Sequence, residues 1–353
     1  MVNCQFDNRK NPMRILICAP SNGAVDNIAL RLIADKNFLA TSCPKKGVKV
    51  VKLLRIGQRN KVHPKVLPYH LEHQLDKIFP PPLDDSQKRD WCKTREGLLL
   101  EAHIIFSTLN SVQASSLLRL FQNGSPKLCF RCVIIDEAGQ STEPELLMPL
   151  VYPTSKLILI GDHLQLPATV ISSFAQGKNY GRSMLERSCK HFQALCDGGG
   201  DGGGGDGDQQ KRLEQLPMLT LKQQFRMRPE IVAFPSAQFY GGQLQTPART
   251  GENAAIPLKP YVVFDVADSR ERKGGGGGKM KGAALPSMSK YNLEEAAFVM
   301  TLLRAIFARL GYPNLNKRKP MTFGKGALKI KIGVITFYQV GSLSFIGYLY
   351  LKS

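Results

Sequence analysis

An α/β fold built on a parallel sheet is what this sequence predicts, and three observations lead there. Short apolar runs rich in β-branched residues alternate with stretches that carry apolar residues at helical spacing. Several of these runs are apolar throughout, as in strands buried on both faces. One of them, Cys132-Val133-Ile134-Ile135, leads directly into the adjacent carboxylates Asp136 and Glu137. Parallel strands deliver charged residues in this way to their carboxyl edge, where ligands sit.

In chain order, Arg14 to Ala19 reads as a buried strand. Pro20-Ser21-Asn22-Gly23 turns the chain, and Ala24 to Ala34 has helical spacing. Val48 to Ile56 is a second strand. From Gly57 to Trp91 the pattern breaks into charged, His- and Pro-containing sequence, an inserted helical or irregular segment near 57–100. His70 and His73 are expected on the polar face of a helix there. Strands return at His103 to Ser107, Leu128 to Ile135 and Lys156 to Ile160. Gly198 to Asp208 and Gly274 to Gly278 read as flexible surface loops.

A further series follows, with strands near Pro217 to Leu221, Tyr261 to Val266 and Lys329 to Thr336. Helices are expected at Pro229 to Tyr240 and Leu293 to Leu310. The 353 residues thus divide into a first unit, 1–222, and a second, 223–353.

The net charge is +20, from 48 Lys+Arg against 28 Asp+Glu, scattered along the chain rather than held in one tail. A polyanionic partner follows, nucleic acid first and an anionic membrane surface second. The eight cysteines have no framework spacing, and no secretory signal opens the chain, so reduced thiols are expected. Cys129-Phe-Arg-Cys132 has CxxC spacing, but no second CxxC follows to complete a zinc site.

Asp136 at a strand end can hold Mg²⁺ on a nucleotide, and Glu137 can orient or deprotonate an attacking water. The alternative is a strand running into a surface helix cap. Gln165, in the polar turn after Leu157 to Ile160, is placed to hydrogen-bond a γ-phosphate or the water. Arg226 and Arg228 precede a helix, where a planar guanidinium suits phosphate oxygens and the alternative is a solvated helix turn. No segment has the nucleotide-cradling pattern G-x-x-x-x-G-K-[ST]. The nearest, Gly278-Lys279, is followed by Met280 and has Lys273 at the first glycine position.

The blocks Ala19–Ile28, Ile134–Glu145, Leu159–Val170, Gln224–Leu244, Tyr291–Ala296 and Ile332–Gln339 together resemble the superfamily 1B helicases of the senataxin and nonsense-mediated-decay type. Gly57–Pro64 is most similar to the senataxin branch. The resemblance implies two RecA-like P-loop NTPase-type parallel-sheet domains, both incomplete, with ATP between them. Asp136 is then the Mg²⁺ ligand, Glu137 the water activator, Gln165 the γ-phosphate sensor and Arg226 the arginine finger. Gln224 and Phe225 fall at the adenine, with Phe where the family often has Tyr.

Ser21 and Asn22, with Ser107 and Thr108, match family contacts to the backbone of single-stranded RNA or DNA; a turn with an N-cap is the alternative for Ser21-Asn22. Family blocks expected before Ile15 and after Gln339 are not found. The implied function is an ATP-dependent RNA or RNA–DNA helicase in the nucleus, or the cytoplasm, the chain being an incomplete copy of weak activity. The alternative is a non-catalytic nucleic-acid-binding or interaction protein on the same scaffold. Ile332 to Leu351 has no charged residue, long enough for a tail anchor, but Gly, Ser, Thr and Gln interrupt it and no membrane partner is expected.

Overall fold

The structure, a computed structural model, describes residues 14–35, 51–114, 117, 120, 130–197, 217–248, 259–273 and 290–309. The chain divides into two compact units, Met1–Leu219 and Thr220–Ser353.

The first unit is a five-stranded parallel sheet. Its strands are β1 (Ile15–Ala19), β2 (Leu53–Arg55), β3 (Ile104–Thr108), β4 (Cys132–Ile135) and β5 (Leu157–Leu159). They lie in the order β2-β3-β1-β4-β5, with Ile17 beside both Phe106 and Ile134. Parallel neighbours need crossovers, and helices supply them.

Successive residues of each strand enter different cores. Ile17, Ala19, Leu53, Ile104 and Phe106 pack with Val25 and Ala29 of α1 (Asn22–Ala34). Leu16, Cys18, Leu54, Ile105, Val133 and Ile135 face the other way. They meet Leu71 and Leu75 of α2 (Leu71–Ile78) and Leu99 of α3 (Asp85–Glu101). The 57–100 segment therefore supplies the cover of one sheet face. Asp84 starts α3 with a capping box: its carboxylate accepts the Gln87 N–H at 2.8 Å, and the Gln87 side chain returns the bond. On the same side, the Tyr152 hydroxyl donates to the Val112 carbonyl at 2.5 Å, and its ring meets Phe130 edge-on.

Short helices follow the later strands: α4 (Glu143–Leu147), α5 (Ser173–Gly177) and α6 (Met184–Asp197). The second unit holds α7 (Pro229–Phe239), the antiparallel pair β6 (Arg272–Lys273) and β7 (Lys290–Tyr291), and α8 (Leu293–Arg309). Asn292 caps α8, its Oδ1 accepting the Glu295 N–H at 3.1 Å. Phe298 packs on Phe264 with ring centroids 5.3 Å apart.

Three expectations require correction. Described residues 217–221 and Tyr261–Val266 form no strand; the nearest pairing is one bridge, Gln223 to Gln245. Apolar composition alone does not make a strand, because the backbone needs a partner, and Tyr261 and Val263 remain 69% and 72% exposed. The described parallel sheet thus belongs to the first unit. His70 does not lie on a polar helix face: it precedes α2, is fully buried, and its Nε2 pairs with the Gly57 carbonyl at 2.8 Å. Cys129, the loops at 198–208 and 274–278, the strand at 329–336, the block Ile332–Gln339 and the apolar segment after it lie outside the described residues.

Candidate active site

The carboxyl edge of the sheet carries two kinds of chemistry. On β4 and β5 it is acidic. The Asp136 N–H donates to the Cys18 carbonyl at 2.8 Å, extending the β1–β4 ladder to the carboxylate itself. Glu137 then turns sharply, with φ of 54° in the left-handed region, which costs a non-glycine residue about 1–2 kcal/mol. Strain of this kind persists where surrounding bonds over-determine it. Here the Ala138 N–H donates to the Ile160 carbonyl and the Ile160 N–H to the Ile135 carbonyl, both at 2.8 Å.

These bonds join the turn after β4 to the turn after β5. Backbones approach so closely that a Cβ on Gly139 would lie 2.6 Å from the Asp162 carbonyl oxygen. A Cβ on Gly161 would lie 2.9 Å from the amide nitrogens of Ala138 and Gly139. Leu185 of α6 backs the contact.

Asp162 organises the second turn. Its Oδ1 accepts the Leu164 N–H at 2.9 Å and its Oδ2 accepts the Gln165 side-chain amide at 2.8 Å, a local carboxylate turn. Burial, then the Asp162 charge, pushes the Cys189 thiol above its ordinary value. Glu137 Oε2 accepts from the Gln140 side chain at 3.0 Å. Among the described residues, nothing donates a hydrogen bond to the Asp136 carboxylate. The structure thus brings Asp136, Glu137 and Gln165 onto joined turns of one sheet edge. Gly139, Gly161 and Asp162, which sequence reasoning missed, hold those turns together. Only Asp162 had a readable signal, an Asp three residues before Gln165.

On β1 and β3 the edge is neutral and polar. Ser21 caps α1, its Oγ accepting the Ala24 N–H at 3.1 Å. Asn22 Oδ1 accepts from Arg55 Nη2 at 2.8 Å. Ser107 is fully buried and donates to the Thr108 carbonyl at 3.0 Å; Thr108 Oγ1 donates to Ser111 Oγ at 2.9 Å. Arg55 was also missed: it lies buried against Asp26, at the end of β2.

In the second unit, Gln224 Oε1 accepts the N–H groups of Arg226 and Met227 at 2.9 and 2.8 Å. Its amide nitrogen donates to the Met227 carbonyl and Thr246. Gln224 thereby shapes the turn before α7 and leaves Phe225 71% exposed. Among the described residues the Arg226 guanidinium has no hydrogen-bond partner, while Arg228 pairs with Glu230 at 3.8 Å.

Against known families, residues 3–80 and 82–173 match one AAA domain and residues 206–344 match another. The chain is 30% identical to the probable helicase senataxin of Mus musculus, over 95% of its own length. It belongs to the superfamily 1B helicase family of the senataxin and nonsense-mediated-decay type. Its parallel sheet is the RecA-like P-loop fold of that family. The probable helicase MAGATAMA 3 of Arabidopsis thaliana is 33% identical over 87% of the chain. Regulator of nonsense transcripts 1 of Caenorhabditis elegans is 27% identical over 96%. The chain spans 14%, 33% and 27% of these three proteins respectively. Nucleotide use is the property the AAA domains of this family imply. Among the described residues, no helix is long and apolar enough to cross a membrane.

Proposed function

We propose that this chain is the motor segment of an ATP-dependent RNA or RNA–DNA helicase that works in the nucleus. The observation that carries the reading is the strained Asp136–Glu137 turn bonded to the Gly161–Gln165 turn at the carboxyl edge of the sheet. Mg²⁺ fits the donor set: it is bound by one or two carboxylates with water and substrate phosphates completing its shell, and Asp136 has no competing donor among the described residues. Bound Mg²⁺–ATP supplies the phosphoanhydride and a charge that stabilises its cleavage.

The protein groups divide the remaining work. Asp136 holds the metal, Glu137 orients and deprotonates the water, and Gln165 reports on the γ-phosphate. Arg226 supplies a cation to the phosphates, with Gln224 and Phe225 at the adenine. Ser21, Asn22, Ser107 and Thr108 form the strand ends along which single-stranded RNA or DNA runs, and the net charge of +20 supports that partner.

These 353 residues contain no G-x-x-x-x-G-K-[ST] segment. Weak turnover, or binding without turnover on the same scaffold, is therefore the expectation for the chain by itself. The test is nucleic-acid-stimulated ATP hydrolysis by the purified chain and by Glu137→Gln. Slow hydrolysis abolished by Glu137→Gln supports the enzyme. Single-strand binding with no Glu137-dependent hydrolysis supports the non-catalytic reading. Robust hydrolysis abolished by Glu137→Gln would refute the expected weakness.

A further inference from the structure

The side chain of Arg55 reaches from one strand end to another. It leaves the end of β2, which β3 separates from β1, and meets α1 at its first residue, Asn22. Room for it is built in. Gly57 adopts φ of 141°, and a Cβ there would lie 3.1 Å from Arg55 Nη1, so the guanidinium fills space that glycine leaves free. It is fully buried, with Nε on Asp26 Oδ1 at 2.9 Å, Nη1 on the Ile56 carbonyl and Nη2 on Asn22 Oδ1 at 2.8 Å.

A buried ion pair is poor evidence of stability, because an apolar pair of similar volume often does as well or better. Its contact with Asn22 supplies another reason for the arginine. A guanidinium has donors and no acceptor, so the atom of the Asn22 amide that faces it must be the oxygen. The amide is thereby held in one orientation, with Nδ2 turned away from the guanidinium. Among the described residues Nδ2 has no hydrogen-bond partner, and, unlike the sealed His70 Nδ1, it is open to solvent. What it offers is a pair of N–H donors at the start of α1, which suit a phosphate or sugar oxygen.

We infer that Arg55 is a positioning residue: it touches no nucleic acid itself, and it holds the Asn22 amide with its donors toward the backbone of the bound strand. The inference rests on the proposal that Asn22 lies on the path of a single strand, and it adds a residue and a role to that path. An amide free to turn would present its oxygen to the phosphate for part of the time, and the two oxygens repel. Lysine is no substitute, since a single ammonium lacks the rigid fork that serves Asp26, Ile56 and Asn22 at once.

Fluorescence anisotropy of the full chain with a labelled oligouridylate, at a temperature well below melting, tests this as a double-mutant cycle. Asn22→Ala is expected to weaken binding by about 10-fold, the loss of one hydrogen bond to a charged group. Arg55→Lys, which keeps a cation beside Asp26, is expected to weaken it by about 3-fold, because the freed amide must be ordered on binding. Combined, the two substitutions should lose no more than Asn22→Ala alone. Tyr152→Phe removes a buried hydrogen bond elsewhere; it should lower the melting temperature without changing affinity, which separates positioning from stability.

Wild-type affinity in Arg55→Lys, or losses that multiply in the double variant, would overturn the role of Arg55 and leave single-strand binding standing. Failure of the wild type to bind would sink the path and the positioning together. Should Arg55→Lys lose its cooperative melting, Asp26→Leu combined with Arg55→Met removes the pair without stranding a charge. It is read in the same way: binding weakened by about 3-fold supports the role, and wild-type affinity refutes it.

Discussion

Arg55 and Asp26 form an ion pair sealed from solvent, Nε to Oδ1 at 2.9 Å, with side-chain exposures of 0% and 5%. Each guanidinium nitrogen and both carboxylate oxygens are engaged: Asp26 Oδ2 accepts the His63 N–H at 2.7 Å, and Arg55 also donates to the Ile56 carbonyl and to Asn22. The pair ties α1 to β2 and to the segment that leads into α2. Removing one partner strands a buried charge, so Asp26→Asn and Arg55→Met are each expected to cost about 3–5 kcal/mol. Urea unfolding measures this, and a double substitution by apolar residues should recover part of the loss. A single variant as stable as the wild type would contradict the geometry.

The joined turns predict a second pair of effects. Gly139→Ala and Gly161→Ala force backbone apart where contacts would be 2.6 and 2.9 Å, and overpacking of this kind costs about 1–3 kcal/mol. Because the turns carry Glu137 and Gln165, any ATP hydrolysis should fall further than stability does. Gly97→Ala, in open space inside α3, serves as the control: it should leave hydrolysis unchanged and raise stability by about 0.5–1 kcal/mol.

Glu137 sits in a left-handed conformation. Glu137→Gly releases that strain and adds chain entropy to the unfolded state, leaving a net gain of about 0.5–1 kcal/mol. It removes the carboxylate at the same time. Thermal melting and hydrolysis should therefore move in opposite directions; a less stable glycine variant would show that the turn is not strained.

Stability should also respond to His103. Burial, followed by the charges of Lys52 and Arg14, holds its imidazole below the ordinary value. Its Nδ1 accepts the Lys52 N–H at 3.1 Å, a bond that needs the neutral ring. Below about pH 6.5 the unfolded chain binds a proton that the folded chain refuses, so this contribution is complete above that pH and is lost as pH falls. His103→Asn keeps an acceptor near Nδ1 without the titration. Its melting temperature should decline less steeply with acid, and an identical slope would reject the assignment.

Single-strand binding should be steeply salt-dependent, because backbone contacts by Lys and Arg release counterions. Anisotropy titrations across a several-fold rise in salt are expected to show a large loss of affinity. Insensitivity to salt would refute tracking along phosphates.

The parts of the fold that were legible in sequence are those with a local cause. β1, β3, β4 and β5 show as apolar runs because strands covered on both faces exclude polar side chains, and α7 and α8 keep helical patterning. Asp136, Glu137 and Gln165 stood out as candidates for the same reason: Asp136 and Glu137 come straight after such a run, and Gln165 lies in the turn after another. Strand expectations failed at Tyr261–Val266, where apolar residues lack a pairing partner among those described.

Sequence by itself determined the α/β class, the acidic strand end and membership in a helicase family. Tertiary structure decided the order β2-β3-β1-β4-β5, the Gly139–Asp162 contact, the burial of Arg55 on Asp26, and the burial of His70 against the Gly57 carbonyl. The physical reason is range. Periodicity and capping act within a turn or two, whereas these contacts join residues 13 or more positions apart, whose proximity leaves no pattern in the intervening chain.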